Sequence, residues 1–261
     1  MRWHDVKRPV PGPAESIGGY SAGCVRGAEA LPQHGAGYQI MRPSRRRAFG
    51  HPTLISYLKK LGAGVKAVGL GSVLIGDLGQ ARGGPSPSGH ASHQTGLDVD
   101  IWYWAPDEAL TRALTRRERE QLAARSVVDE KAQVLEPTLS ARVAALLALA
   151  SKDERVARIF VHPVIKHALC QGDYPDRTFL TKLRPWWGHD DHFHVRLACP
   201  LESPECEAQA KVEPGDGCAE VASWLTPEAL AAREKEHARY RAKVGSVPKL
   251  PGACDALLLT P

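Results

Sequence analysis

The sequence predicts an α+β fold: an antiparallel sheet with helices packed on one of its faces, and long loops pinned by disulfides. Three observations predict it. The stretches 96–104 and 192–197 alternate polar and apolar residues with the period of a strand. Other stretches repeat apolar residues every three or four positions, as amphipathic helices do. Between them lie Pro- and Gly-rich segments that contain or adjoin most of the six cysteines.

Taken in order, residues 1 to about 50 are rich in Pro, Gly and Arg and lack periodicity, so they read as an irregular arm with short strands at best. Gly19-Tyr20-Ser21-Ala22-Gly23 matches the G-x-S-x-G pattern of a serine nucleophile elbow, which needs a buried strand before it and a helix after it. Pro13 and Gly18 on one side, with Cys24 and Gly27 on the other, argue for a chance match. Arg45-Arg46-Arg47 reads as solvated surface. His51-Pro52 opens a helix with Leu54, Tyr57, Leu58 and Leu61 on one face, expected to close at Gly62. Residues 67–77 read as a glycine-loosened strand pair or one long bent strand. Residues 81–89 are dense in turn formers and are expected to form a surface loop rimming the site.

Residues 106–136 are charged and expected to be helical in part around Thr115 to Ala124. Leu139 to Ala150 is a strong helix preceded by Pro137. Arg158 to Val161 reads as a buried strand, and 164–183 as two short helices broken near Gly172 and Pro175. A Cys-, Pro- and Gly-rich crossing follows until about Gly217, and Thr226-Pro227-Glu228 starts a charged helix running to about Lys243. The 261 residues are expected to form one domain, 1–261, with the arm at 1–50, the core at 51–200 and the crossing with the C-terminal helix at 201–261.

The composition is that of an ordinary globular protein. A formal charge of +5 is diffuse, so no nucleic-acid partner is expected. No apolar run is long enough to span a membrane. The cysteines form no C-x-x-C pair, which disfavours a structural zinc ribbon, and their even number suggests disulfides and an oxidising compartment. Cys199 and Cys206 bracket a short loop suited to a local bridge. For the other four, Cys24 with Cys254 and Cys170 with Cys218 is the expected pairing among those left open. Met1 to Pro9 lack the apolar centre of a secretory signal, so an exported chain is expected to be a processed form or to start elsewhere. The oligomeric state is not legible.

The chemistry concentrates in two segments. Gly89 to Trp102 holds His90, His93, Asp98 and Asp100, and His189 to Leu197 holds His189, His192 and His194; together they hold five of the eleven histidines. As strands, Asp98, Asp100 and Trp102 share one face and Leu97, Val99 and Ile101 the other. Likewise His192, His194 and Arg196 oppose Phe193, Val195 and Leu197. If the strands are neighbours in one antiparallel sheet, imidazoles and carboxylates converge on one patch. Such carboxylates are costly to bury without a cation. Imidazole and carboxylate ligands without thiolate suit catalytic zinc, and neither a calcium loop nor an H-E-x-x-H helix is present.

Ser92-His93 with Asp100 seven positions on, followed far downstream by His192-Phe193-His194, resembles the LAS metallopeptidases (lysostaphin, D-Ala-D-Ala peptidases, hedgehog amino-terminal domain). Gly89 to Trp102, Trp186 to Arg196, Arg82-Gly83-Gly84, Arg158 to Cys170 and the cysteine layout are similar to the penicillin-insensitive murein endopeptidase family within that group. The resemblance implies Zn2+ held by His93, Asp100 and His194, with His192 as general base. It implies hydrolysis of the D-alanyl to meso-diaminopimelyl cross-link between peptidoglycan peptides, in the periplasm and insensitive to β-lactams. A zinc carboxypeptidase or dipeptidase acting on D-Ala-D-Ala termini, and a non-catalytic zinc-dependent wall-binding module, are the alternatives. His90 is expected as a fourth ligand or a substrate contact, and His189 to orient His192 or hold the oxyanion. Asp98 is expected to bond an imidazole N–H. Arg82, Arg196 and Trp187 are the expected substrate contacts.

Overall fold

The computed structural model describes residues 2–87, 89–129, 131, 133–243 and 247–260, and it places the two alternating segments side by side in a seven-stranded sheet. A hairpin of β1 (Glu15–Gly19) and β2 (Ala22–Arg26) comes first. Its turn is the G-x-S-x-G stretch, and since no helix follows, there is no nucleophile elbow. β3 (Glu29–Ala30), β4 (His34–Gly35), β5 (Tyr38–Ile40) and β6 (Phe49–Gly50) follow. β4 and β5 join the main sheet, so the first fifty residues are more ordered than an arm. Strands this short show no period in the sequence.

Helix α1 (Pro52–Ala67) begins as expected, with His51 Nδ1 accepting from the Thr53 N–H at 3.2 Å and Pro52 in the first turn. It runs past Gly62. A Cβ on Gly62 would stand 2.4 Å from the Ala36 carbonyl oxygen, so this glycine permits close packing and does not end the helix. The stretch 67–77 yields one short strand, β7 (Val73–Ile75), because Gly69 and Gly71 turn the chain with φ of 77° and 75°. β8 (Asp98–Trp102) is followed by α2 (Asp107–Thr111) and by α3 (Arg116–Gln121), which carries a capping box from Thr115 and Glu118.

Beyond these come β9 (Val128–Asp129), β10 (Val134–Leu135), α4 (Pro137–Ser151), β11 (Val156–Val161) and α5 (Pro163–Gln171), capped by His162. A 3-10 turn at Thr178–Lys182 leads to β12 (Leu183–Pro185) and β13 (His192–Leu197). α6 (Cys218–Val221), α7 (Pro227–Lys243) and α8 (Gly252–Leu259) close the chain.

The strand order is β12-β11-β13-β8-β7-β5-β4. The centre is antiparallel as expected, with a parallel pair toward each edge, β11 with β12 and β5 with β7. On one face Val99, Ile101, Phe193, Val195 and Leu197 are fully buried and pack with Leu54 and Leu58 of α1 and Val143 and Leu147 of α4. Each such side chain contributes about 1.5–3 kcal/mol by leaving water. The Tyr57 hydroxyl donates to the Ala150 carbonyl at 3.1 Å, tying the two helices.

The cysteines pair as expected: Cys24–Cys254, Cys170–Cys218 and Cys199–Cys206. They pin β2 to α8, α5 to α6, and the turn that follows β13. The crossing 198–217 is bound to polar groups of the sheet. Arg196 reaches Gln209 Oε1 at 2.9 Å, Arg184 the Glu213 carbonyl at 3.2 Å, and Arg158 the Ala210 carbonyl.

The expected rim loop is half interior. Ala81 to Gly84 are buried, and a Cβ on Gly83 (φ 66°) would overlap the Gln94 carbonyl oxygen at 1.8 Å. Ser88, in the same loop, lies outside the described residues.

Candidate metal centre

β8 and β13 pair so that His194 faces Asp100, Arg196 faces Asp98 and His192 faces Trp102. Period-two alternation then places all six side chains on one face of the sheet. That face is more enclosed than the sequence implied: Asp98 is fully buried, and Asp100, His93 and His194 are nearly so.

The backbone of His93 is left-handed (φ 66°), uncommon for a residue other than glycine. Two bonds hold it there. Its N–H donates to Asp98 Oδ2 at 3.1 Å, and its Nδ1–H donates to the Leu78 carbonyl at 3.0 Å. When the ring is neutral its lone pair is on Nε2, which faces Asp100 Oδ1 at 3.3 Å; burial opposes protonation here, but Asp100 outweighs it and raises the metal-free imidazole above the usual histidine range. His194 is set in the opposite sense: Nε2 lies 3.1 Å from Asp98 Oδ1, and Nδ1 lies 3.3 Å from Asp100 Oδ1. Burial pulls its imidazole down to about 4, so it is neutral near pH 7, as a ligand must be.

His93 Nε2 and Asp100 Oδ1 are buried without a hydrogen-bond partner. A buried unpartnered carboxylate oxygen is expensive unless a cation meets it. Two ligand atoms about 2.0–2.1 Å from a tetrahedral ion stand roughly 3.3 Å apart. Both His–Asp spacings have that value, so the donor set fits a metal of the zinc class.

His90 joins from the other side, its Nδ1 lying 3.3 Å from Asp100 Oδ2. The ligating atoms of His90, His93 and Asp100 all lie within 4.8 Å of one another. His90 Nε2 faces Asp77 Oδ2 at 2.9 Å, and that oxygen also accepts from Arg47 Nη1 at 2.7 Å and Arg45 Nη1 at 3.1 Å.

His192 sits beside the cluster with Nε2 3.7 Å from Asp100 Oδ1 and Nδ1–H bonded to the Asp191 carboxylate. Burial opposes its protonation, but Asp100 and Asp191 outweigh burial and push the imidazole up to about 9. The His189 ring is 5.0 Å from that of His192, and its Nδ1–H donates to the Trp187 carbonyl at 3.0 Å. Burial, with His192 and His194 nearby, holds His189 well below the usual histidine range, so it stays neutral with Nε2 an acceptor.

A family model of the penicillin-insensitive murein endopeptidases matches residues 16–259. The chain belongs to this family. Among murein endopeptidases of that name, the protein of Citrobacter koseri is 44% identical over 258 residues, spanning 98% of this chain and 90% of its own. That of Salmonella paratyphi B is 45% identical over the same length, with the same coverage. That of Haemophilus influenzae is 48% identical over 232 residues, spanning 87% of this chain and 80% of its own.

In this member of the murein endopeptidase family, two expected substrate contacts have other partners. Arg82 is buried, and its guanidinium donates to the carbonyls of Arg8, Leu257, Leu258 and Thr260, at 2.6–3.3 Å, anchoring the C-terminal helix. Arg196 is buried too and grips Asp98 in two bonds of 2.7 and 3.0 Å, with its guanidinium over the Tyr20 ring. Trp187 packs against His162, Trp224 and Arg233 and stays half-buried, while Trp186 is exposed. Sequence reading passed over Asp77 and Asp191. Asp191 precedes His192 directly, and Asp77 closely follows β7, the neighbour of β8; those positions were the available signals.

Proposed function

We propose that this chain is a zinc-dependent peptidoglycan D,D-endopeptidase that hydrolyses the D-alanyl to meso-diaminopimelyl cross-link. The carrying observation is the meeting of His93 Nε2 and His194 Nδ1 on Asp100 Oδ1, each at 3.3 Å, with an aspartate-bound His192 alongside. The names of the murein endopeptidase relatives support peptidoglycan as the substrate. Three disulfides favour an oxidising compartment, which in this reading is the periplasm. No helix among the described residues is long and apolar enough to cross a membrane.

His93, Asp100 and His194 hold the zinc, and His90 approaches through the second carboxylate oxygen. When bound, zinc supplies Lewis acidity that polarises the scissile carbonyl and lowers the pKa of water. Asp98 fixes both histidine ligands, through the amide of one and the ring of the other. With its Nδ1–H committed to Asp191, His192 would have Nε2 as its basic atom once a bound divalent cation offsets the Asp100 charge that keeps the metal-free imidazole protonated. It takes a proton from the attacking water as oxygen bonds to the carbonyl carbon. Asp191 stabilises the resulting imidazolium. The same proton then passes to the departing amine as the C–N bond breaks.

His189 would have to be protonated to hold an oxyanion, and its surroundings oppose that. Its Nε2 is set to accept a bond from water or a substrate N–H. No serine is acylated in this sequence of steps, so β-lactams have no target.

The test is digestion of purified cross-linked muropeptide dimers, with products identified by mass. Monomers cut between D-alanine and diaminopimelate are expected. Removal of a terminal D-alanine with the cross-link intact would mark a carboxypeptidase instead, and no cleavage would defeat the enzyme reading.

A further inference from the structure

The arginine run at 45–47 is left over once the metal centre has been described, and it lies against that centre. Arg42 and Arg46 are both left-handed (φ 49° and 53°), flanking a single 3-10 turn at Pro43–Arg45. The turn is fixed from several sides. Glu120 accepts from the Ser44 N–H and hydroxyl, both at 2.7 Å, and the Arg42 N–H donates to the Arg119 carbonyl at 2.9 Å. Two non-glycine residues in this conformation persist only where the surroundings over-determine them, a pattern that concentrates at functional sites.

The turn presents Arg45. Its Nη1 is anchored on Asp77 Oδ2 at 3.1 Å, its one hydrogen-bond partner among the described residues, while the side chain remains 41% exposed. A guanidinium has five N–H donors, so an anchored Arg45 still has a fork to offer. Asp77 meets His90, and His90 meets Asp100, so a short relay of contacts separates Arg45 from the metal ligands. Several other cations near the centre are engaged, Arg47 by the same Asp77 oxygen. Arg196 holds Asp98, and Arg158 and Arg184 hold carbonyls of the crossing.

On the endopeptidase reading, the carbon bonded to the scissile nitrogen is the D-centre of diaminopimelate, and it also bears a carboxylate. We propose that Arg45 binds this carboxylate, and that the rigid 42–47 turn is a specificity element that selects cross-links in which the acid is free. The planar fork of arginine matches a carboxylate with two parallel hydrogen bonds. Asp77 keeps the guanidinium in place between turnovers. The proposal rests on the endopeptidase assignment, and the test separates the two.

Two synthetic cross-linked dimers are compared, one with that carboxylate free and one with it amidated, using wild type, Arg45→Gln and Arg45→Lys, with zinc content measured for each. Wild type should prefer the free acid by about tenfold to a hundredfold, mainly through KM, the range for losing a charge-assisted contact. In Arg45→Gln the ratio should collapse toward one. Arg45→Lys should restore part of it, and zinc content should match wild type throughout. Equal cleavage of both dimers by wild type would overturn the proposal, as would an equal loss on both in Arg45→Gln or a fall in its zinc content. Wild type that binds zinc and cleaves neither dimer would defeat the endopeptidase reading, and the clamp with it.

Discussion

Asp98→Asn is the sharpest perturbation of the metal centre that leaves every ligand in place. Asp98 is fully buried and its two oxygens accept from Arg196 Nε and Nη2 and the His93 N–H at 2.7–3.1 Å, with His194 Nε2 3.1 Å from Oδ1. Burial alone would raise its carboxyl, but Arg196 and His194 hold it well below the usual carboxylate range. The amide keeps the shape, removes the charge and turns an NH2 toward a donor. Breaking a buried pair in this way costs about 3–5 kcal/mol, because the Arg196 guanidinium is left inside uncompensated. In a chain of this size that is a fall in melting temperature of roughly 10 °C. Because Asp98 also touches His93 and His194, the histidines proposed as ligands, zinc affinity should drop about tenfold to a hundredfold. Calorimetry and competition with a chromophoric chelator measure the two. In the double variant Asp98→Leu with Arg196→Met, stability should largely return while zinc affinity should not. A single variant within about 1 kcal/mol of wild type, or one with unchanged zinc affinity, would refute the reasoning.

His192→Ala should abolish cleavage and keep the metal content of wild type; retained cleavage would remove His192 from the role of base. Arg82→Ala should leave KM on dimers where it is and lower stability by about 3 kcal/mol, from one buried and three part-buried carbonyls losing a charged donor; a raised KM would restore Arg82 to the substrate. His51 gives a pH test. Burial lowers its folded pKa below the unfolded value of about 6.5, so the neutral ring's contribution is complete above that value and is lost as pH falls through it toward the folded pKa. Melting temperature should therefore fall as pH drops below about 6.5. The fall should be shallower in His51→Asn, which keeps a capping side chain that does not titrate; identical slopes would count against it.

The central strands were legible because each carries a full alternation over five or six residues. A polar face opposite a continuous apolar face shows which side chains converge, but the register that sets His194 opposite Asp100 was not legible, since a slip of two residues keeps every face. The disulfides and the helices at 137–151 and 227–243 were legible for related reasons, in cysteine placement and helical period. β4 and β5 were not, since two and three residues carry no period and their place depends on β7 pairing alongside. Gly62 misled because a glycine that lets a helix lie against a carbonyl looks the same in sequence as one that ends it. Arg82 and Arg196 show the same limit: a letter shows the charge, while the partners that hold it are carbonyls and a carboxylate up to 178 positions away. His90 was ambiguous in sequence because its setting depends on Asp77, and the fold alone brings those two together.

The most direct test is zinc titration into chelator-stripped protein with cross-linked muropeptide dimer present, reading bound metal and monomer release together. Cleavage should be absent from the stripped protein and return in step with zinc up to about one equivalent, the complement of a single site of three protein ligands. Undiminished cleavage after stripping, or zinc that binds without restoring cleavage, would contradict the assignment of His93, Asp100 and His194 as a catalytic zinc centre.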